Sequence, residues 1–269
     1  MTNYAKIKGV VLAGGTGRRL GPLTEITNKH LLPVWDRPMI FYPLRTLLEA
    51  GIRDVLVVTG GQNPGDFLRL LGDGREFGFR HLSFTYQKGQ GGIAAALACA
   101  EEFAAGGPVC VVLGDNILEA SIRRQAELYM IQGSGARVLL KKVADPRRFG
   151  VARFSGKTLT GIVEKPKNPP TPYAVIGVYF YDSSVFDIIR GLSPSRRGEL
   201  EIADVTNSYL KAGALTYGMQ SGWWTDAGTV ESLHNASTLA ARTWFSRSAN
   251  ASFWPPFDGW VRRRLRNSQ

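Results

Sequence analysis

Four short runs, Gly9 to Ala13, Asp54 to Thr59, Phe84 to Gln87 and Val109 to Leu113, are rich in apolar and β-branched residues and lack a clean polar alternation. This constrains the fold more than any other feature. A strand that is apolar on both faces must be covered on both, as in a parallel sheet with helices packed above and below it. The longer amphipathic segments between the runs, Met39 to Ala50, Pro64 to Leu71 and Gly92 to Phe103, predict those helices. Gly51 and Gly72 stand where the first two should be capped. The first 115 residues therefore read as the nucleotide-binding half of a doubly wound, mostly parallel α/β sheet.

Beyond this half the rhythm changes. Ala136 to Val143, Phe149 to Phe154, Leu159 to Glu164 and Ala174 to Tyr181 read as strands, with a proline-rich loop, Lys165 to Pro172, between the last two. They are expected to extend the same sheet and to add a smaller β-rich sheet over one end. Helices are expected at Ser183 to Arg190, near Glu201 to Ala212, and at Gly228 to Phe245. No repeat or linker divides the chain, so residues 1–241 read as one domain with halves of about 1–115 and 116–241, followed by a tail, 242–269.

The net charge of +11 raises the question of nucleic acid, and its distribution answers it. Six arginines from Arg242 onward face one acid, Asp258, which leaves +6 for the first 241 residues. The tail, with its Phe253-Trp254-Pro255-Pro256-Phe257 stretch, reads as a packing or oligomer contact; a few arginines give only a salt-sensitive attraction to RNA or membrane. The modest excess elsewhere suits substrates that carry several phosphates. Cys99 and Cys110 have no partner at metal-ligand spacing, and His30, His81 and His234 are scattered. A disulfide framework and a zinc site are therefore excluded, and any metal is expected to be a hard ion held by carboxylates and phosphate. No apolar run approaches the roughly 18 residues of a membrane span and no leader is evident, so a cytoplasmic location is expected.

The first run leads straight into Leu12-Ala13-Gly14-Gly15-Thr16-Gly17-Arg18-Arg19-Leu20. A glycine-rich turn at the carboxyl end of a buried strand lies where open α/β sheets bind ligands, and its N–H groups can cradle phosphate oxygens. The spacing fits neither G-x-G-x-x-G nor G-x-x-x-x-G-K-[ST], which argues against a dinucleotide dehydrogenase and a P-loop ATPase. A purely structural tight turn fits the glycines equally well. Arg19 and, ten residues on, Lys29 tip the balance, because a cradle flanked by a guanidinium and an ammonium can hold a triphosphate and neutralise a departing pyrophosphate. Taken singly, either cation would read as a solvated surface residue.

Asp115 ends the run Val109 to Leu113 and is delivered to the same sheet edge as the glycine turn. Asp226, in Trp224-Thr225-Asp226-Ala227-Gly228, precedes an expected helix; local sequence favours a helix N-cap, whereas pairing with Asp115 would make a site for an octahedral Mg²⁺. No histidine or Ser/His/Asp set stands ready as a general base.

These stretches resemble the signature of the sugar-1-phosphate nucleotidyltransferases. The residues that carry the resemblance are Leu12 to Thr24, Asn28 to Val34, Arg37 to Ile40, Leu71 to Gly74, Gly92 to Ala94, Leu113 to Asn116, Phe149 to Val151, Val163 to Pro166, Ala174 to Tyr179, Arg197 to Ile202 and Trp224 to Thr229. Within the family the chain is most similar to the short glucose-1-phosphate thymidylyltransferases, over roughly residues 8–240. The resemblance implies attack by a sugar 1-phosphate, most simply glucose 1-phosphate, on the α-phosphorus of an NTP, most simply dTTP, giving an NDP-sugar and pyrophosphate. It gives Arg19 and Lys29 the phosphates, and Asp115 and Asp226 the Mg²⁺. It assigns the nucleotide to Leu12, Gly14, Gly15, Thr16, Gly17, Gln87, Gly92 and Asp115, with Gln87 on the base, and the sugar phosphate to Gly150, Glu164, Lys165, Val175, Tyr179 and Arg197. A dimer or tetramer is implied as well.

Two departures stand out. Arg18 takes a place usually held by a short side chain, and Ala95 a place where glutamine is frequent. The same catalytic residues would serve UTP, another NTP or another sugar phosphate. A nucleotide-sugar glycosyltransferase shares the fold and metal but would show Asp-x-Asp where this chain has Gly114-Asp115-Asn116.

Overall fold

The computed structural model describes residues 7–247. In chain order the strands are β1 (Lys8–Ala13), β2 (Pro33–Val34), β3 (Arg37–Pro38), β4 (Asp54–Gly60), β5 (His81–Gln87), β6 (Val109–Leu113) and β7 (Asn116–Leu118), then β8 (Ala136–Lys142), β9 (Gly150–Ser155), β10 (Thr158–Glu164), β11 (Tyr173–Tyr181), β12 (Leu215–Met219) and β13 (Trp224–Asp226). The helices are α1 (Phe41–Glu49), α2 (Gly65–Leu71), α3 (Gly92–Ala98), α4 (Glu101–Ala104), α5 (Arg123–Gln132), α6 (Ser184–Arg190), α7 (Ile202–Lys211) and α8 (Val230–Arg247).

Nine strands form one sheet along the path β10-β9-β11-β6-β1-β4-β5, with β8 also paired to β11 and β12 to β8. In the N-terminal half β1, β4, β5 and β6 run parallel, Val11 lying opposite Val57 on one side and Val112 on the other, while β2 and β3 form a separate antiparallel pair. Both faces are covered, as the unalternating strands demand. Val11, Val57 and Val112 point into one apolar layer with Phe41 and Leu44 of α1, Tyr129 of α5 and Ala236 of α8. Their neighbours Val10, Leu56, Val58 and Val111 point into the other, with Leu97 of α3, Phe186 of α6 and Val205 of α7. Burying each large aliphatic or aromatic side chain stabilises the fold by about 1.5–3 kcal/mol.

Strands β8 to β12 join this sheet, so the smaller sheet expected over one end is not separate from it, while β13 pairs with β7 in a two-stranded ribbon of its own. β11 runs antiparallel to β6 through Val178 to Tyr181, while its start, Ala174, also meets Val151 of β9. The β9–β10 hairpin therefore forks off one long strand, and the register of β11 against β8 shifts between Val175 and Tyr179 where the paths part.

The helix expected over Gly92 to Phe103 is two. Cys99 and Ala100 donate to Ala96 and Leu97, three residues back, which tightens the ladder and separates α3 from α4. Six elements escaped periodicity: the two- and three-residue strands β2, β3, β7 and β13, too short to show a period, and α5 and β12. α5 buries only Ala126 and Tyr129, too narrow a stripe to register as amphipathic, and β12 is a half-buried strand with one fully buried residue, Gly218. Of the expected tail, residues 242–247 end α8, and 248–269 lie outside the described residues. Among the described residues no helix is long and apolar enough to cross a membrane.

Candidate active site

The glycine turn is glycine because of close approaches. A Cβ on Gly60 would lie 2.9 Å from the Cα of Gly14, and one on Gly14 would lie 2.8 Å from Gln87 Oε1, so the ends of β1 and β4 and the Gln87 amide meet at one point. Gly17, at φ +67, turns the chain into a short 3₁₀ segment, Arg18–Leu20, that buries Leu20 and leaves Arg19 in the cleft. Asn28 fastens the arrangement: its amide donates to the carbonyls of Ala13 and Gly60 at 3.4 and 3.3 Å, and its Oδ1 accepts from the His30 backbone. Thr16 is exposed on the loop.

His30 is buried beneath the turn, with Nδ1 2.8 Å from Asn28 Oδ1; burial, aided by the charge of Lys29, pulls its pKa down to about 3. An unfolded chain takes up this proton near pH 6.5, so between those values the unfolded state binds more protons. Stability is therefore expected to fall as pH drops below about 6.5, by up to ~1 kcal/mol per pH unit from this residue. Urea melts at several pH values check this, and His30→Gln should remove that part of the slope.

β6 delivers Asp115, and the ribbon of β7 and β13 brings the second carboxylate to it: Asp226 lies opposite Asn116, and the Ala227 N–H donates to the Asp115 carbonyl at 2.8 Å. Lys29 Nζ is 2.6 Å from Asp115 Oδ2, and Asn116 donates to Oδ1 at 2.9 Å. The space above Gly228 is where the groups meet. A Cβ there would lie 3.1 Å from Arg19 Nη2, 3.1 Å from Asp226 Oδ2 and 3.6 Å from Asp115 Oδ2. The structure thus brings together Arg19, Lys29, Asp115 and Asp226, which are far apart in sequence. Asp226 is not the helix cap, since Thr229 Oγ1 accepts from the Ser232 N–H at the start of α8.

Burial opposes ionisation of Asp115, but Lys29, His30 and the hydrogen bonds from Lys29 and Asn116 outweigh it and hold the carboxyl well below its usual range. Asp226 goes the other way. Burial, then the charge of Asp115, pushes its pKa up against the attraction of Arg148, Arg19 and Lys29. Its carboxylate is the one that an added cation would relieve most.

Among the described residues no three His, Cys, Asp or Glu side chains gather as a metal site. The Asp115–Asp226 pair nevertheless fits a hard divalent cation, because both ligands are carboxylate oxygens and the missing Cβ of Gly228 leaves room between them. Phosphate oxygens and water would complete such a shell.

Two cavities open on either side of this point, sharing Arg19, Ile93, Leu113, Asp115 and Lys165. The first is lined by Leu12, Gly14, Gly15, Lys29, Gln87, Gln90 and Gly92; the Gln87 amide donates to the Gly92 carbonyl at 3.2 Å. The second takes in Arg148, Gly150, Glu164, Val175, Tyr179 and Asp226. Lys165 stands between them with φ 41, a left-handed conformation that costs a side-chain-bearing residue and marks a position held by its surroundings. Burial raises the Glu164 pKa in spite of Lys165. Arg197 is not in the lining: it grips Glu201 at 2.7 Å and Glu199 at 3.1 Å, and reaches Glu164 at 3.6 Å.

Sequence reasoning missed Arg148, whose Nη2 is 2.7 Å from Asp226 Oδ2, and the role of Asn116, whose Oδ1 accepts from the Gly177 and Trp224 N–H groups. Nothing local marks Arg148, which follows Asp145-Pro146-Arg147 in what reads as a solvated charged loop.

An α/β sheet with a glycine cradle, two cations and a carboxylate pair at the carboxyl edge of its parallel strands, between two cavities, defines an enzyme that joins two phosphate-bearing substrates. The chain belongs to the nucleotidyl transferase family, whose model matches residues 8–243. It is 46% identical over 228 residues to a glucose-1-phosphate thymidylyltransferase of Actinoplanes sp., covering 83% of this chain and 75% of the relative. It is 44% identical over 237 residues to the enzyme of that name from Neisseria gonorrhoeae, covering 87% and 82%. A solved structure from Bacillus anthracis, described as a candidate glucose-1-phosphate thymidylyltransferase in complex with sucrose, superposes with a TM-score of 0.83 at 50% identity over 87% of this chain and 95% of that one. A UDP-glucose pyrophosphorylase, 24% identical over 88% and 98% of the two chains with a TM-score of 0.78, shares the fold.

Proposed function

We propose that this enzyme transfers a thymidylyl group from dTTP to glucose 1-phosphate. A phosphate oxygen of the sugar attacks the α-phosphorus, the bond from that phosphorus to the bridging oxygen breaks, and pyrophosphate leaves with the electron pair. The attacking oxygen is already an anion, so no general base is required, which accords with the neutral, buried His30.

The observation that carries this reading is the convergence of Arg19, Lys29, Asp115 and Asp226 where the two cavities meet. The nucleotide lies over the glycine turn, with its base at Gln87 and Gly92; a side-chain amide offers the donor and acceptor that a pyrimidine imide edge requires. Arg19 and Lys29 hold the phosphates and stabilise charge gathering on pyrophosphate. Glu164 accepts from sugar hydroxyls, Lys165 binds the acceptor phosphate, and Gly150, Val175 and Tyr179 shape the sugar's surroundings. Arg197 contributes indirectly, through Glu164. Asp115 and Asp226 would hold Mg²⁺, which neutralises phosphate charge when bound. A cytoplasmic homo-oligomer belongs to the same reading.

A panel of NTPs and sugar 1-phosphates, scored by pyrophosphate release, tests it. The highest kcat/KM is expected for dTTP with glucose 1-phosphate. UTP is the main competitor because uracil presents the same imide edge to Gln87. Turnover of no pair would overturn the proposal.

A further inference from the structure

We infer that Arg148 is an exchangeable counter-cation: it holds Asp226 until a divalent cation takes that carboxylate, and its guanidinium then serves the phosphate of the acceptor sugar. This rests on the reading of the site given above.

The two carboxylates are partnered unequally. Asp115 is held by Lys29, whose side chain is 12% exposed. Asp226 is held by Arg148, whose side chain is 39% exposed, while Asp226 itself is 15% exposed. Arg148 can therefore leave its partner for another, and Asp226 cannot follow it. The guanidinium already lines the cavity that contains Glu164 and Lys165. Its carbon lies 5.8 Å from the Phe149 ring, which packs edge-on against Trp224 at 5.0 Å and forms an apolar wall beside the ion pair. The Phe149 carbonyl accepts from the Lys165 N–H at 3.0 Å, so Arg148 and Lys165 are tied to one short segment.

Charge balance gives the exchange its direction. Arg19, Arg148 and Lys165 line the cavity against Asp115, Glu164 and Asp226, three cations against three anions. A divalent cation alone upsets this balance and must compete with Arg148 for Asp226 Oδ2. A sugar phosphate arriving with it restores the balance, and its oxygens match the guanidinium fork. Metal and acceptor phosphate should therefore strengthen each other's binding, reciprocally, through Arg148.

Direct titration of Mn²⁺ into the whole protein, followed by the signal of the free ion, tests this without turnover. Arg148→Gln is expected to bind Mn²⁺ about tenfold more tightly than the wild type in the absence of substrates, and glucose 1-phosphate about tenfold less tightly. Arg148→Met, which keeps an apolar stem beside Phe149, should show the same rise in metal affinity. Equal or weaker Mn²⁺ binding by both variants, or no binding by any of the three proteins up to millimolar metal, would overturn the inference. Asp226→Asn separates the layers. If it binds Mn²⁺ as well as the wild type does, the carboxylate pair is not the metal seat and the reading of the site fails; if it does not, an unchanged Arg148→Gln sinks only the role given to Arg148.

Discussion

Asp226→Asn is expected to lower kcat by about three orders of magnitude while the protein melts within a few degrees of the wild type. The substitution keeps the shape of the side chain and removes one of the two oxygen anions that face each other above Gly228. Its partner Arg148 is 39% exposed and returns to water at little cost, so the loss should fall on turnover rather than on folding. Asp115→Asn makes the useful contrast. There the abandoned partner, Lys29, is only 12% exposed, and leaving a nearly buried ammonium without its carboxylate costs about 3 kcal/mol or more. Both variants should be inactive, and only the second should also lose stability; thermal melts beside single-turnover assays check this. Full activity in Asp226→Asn would remove that carboxylate from the reaction.

The second large effect needs only a methyl group. Gly228→Ala is expected to cut kcat/KM by about a hundredfold or more, because the new Cβ would stand 3.1 Å from both Arg19 Nη2 and Asp226 Oδ2, in the space proposed for the phosphate and the metal. Gly228 is not in the left-handed region, so alanine suits its backbone and the fold should be retained. Circular dichroism together with steady-state kinetics distinguishes a filled cleft from a broken fold. Gly17→Ala would not serve as this test, since its φ of +67 and a 2.8 Å approach to Lys29 Cβ confound strain with blockage.

Much of this architecture is legible in the chain itself. Strands such as Val109 to Leu113 have no polar face, so they require cover on both sides, and the structure supplies it with α1, α5 and α8 against one apolar layer and α3, α6 and α7 against the other. Edges and interruptions were less legible. β5 begins at His81 rather than Phe84 because an edge strand tolerates exposed polar residues at its start, and α5 is set by two buried side chains on an otherwise polar helix. The later strands were legible as strands, but not the fork at β11, which depends on which neighbour each half of one strand meets.

The site divides in the same way. The glycine turn could be picked out as a candidate phosphate cradle only through the company of Arg19, Lys29 and Asp115, and the family's motifs give Asp226 a meaning that its neighbours alone do not. What those residues do to one another could not. That Lys29 faces Asp115 and that Arg148 faces Asp226 are outcomes of how β6, β7, β9 and β13 converge. Periodicity and local motifs report on contacts a few residues apart, where backbone geometry fixes who meets whom. Pairing between side chains nearly 80 residues apart, as for Arg148 and Asp226, is decided only when the sheet closes and burial determines which charge must find a partner.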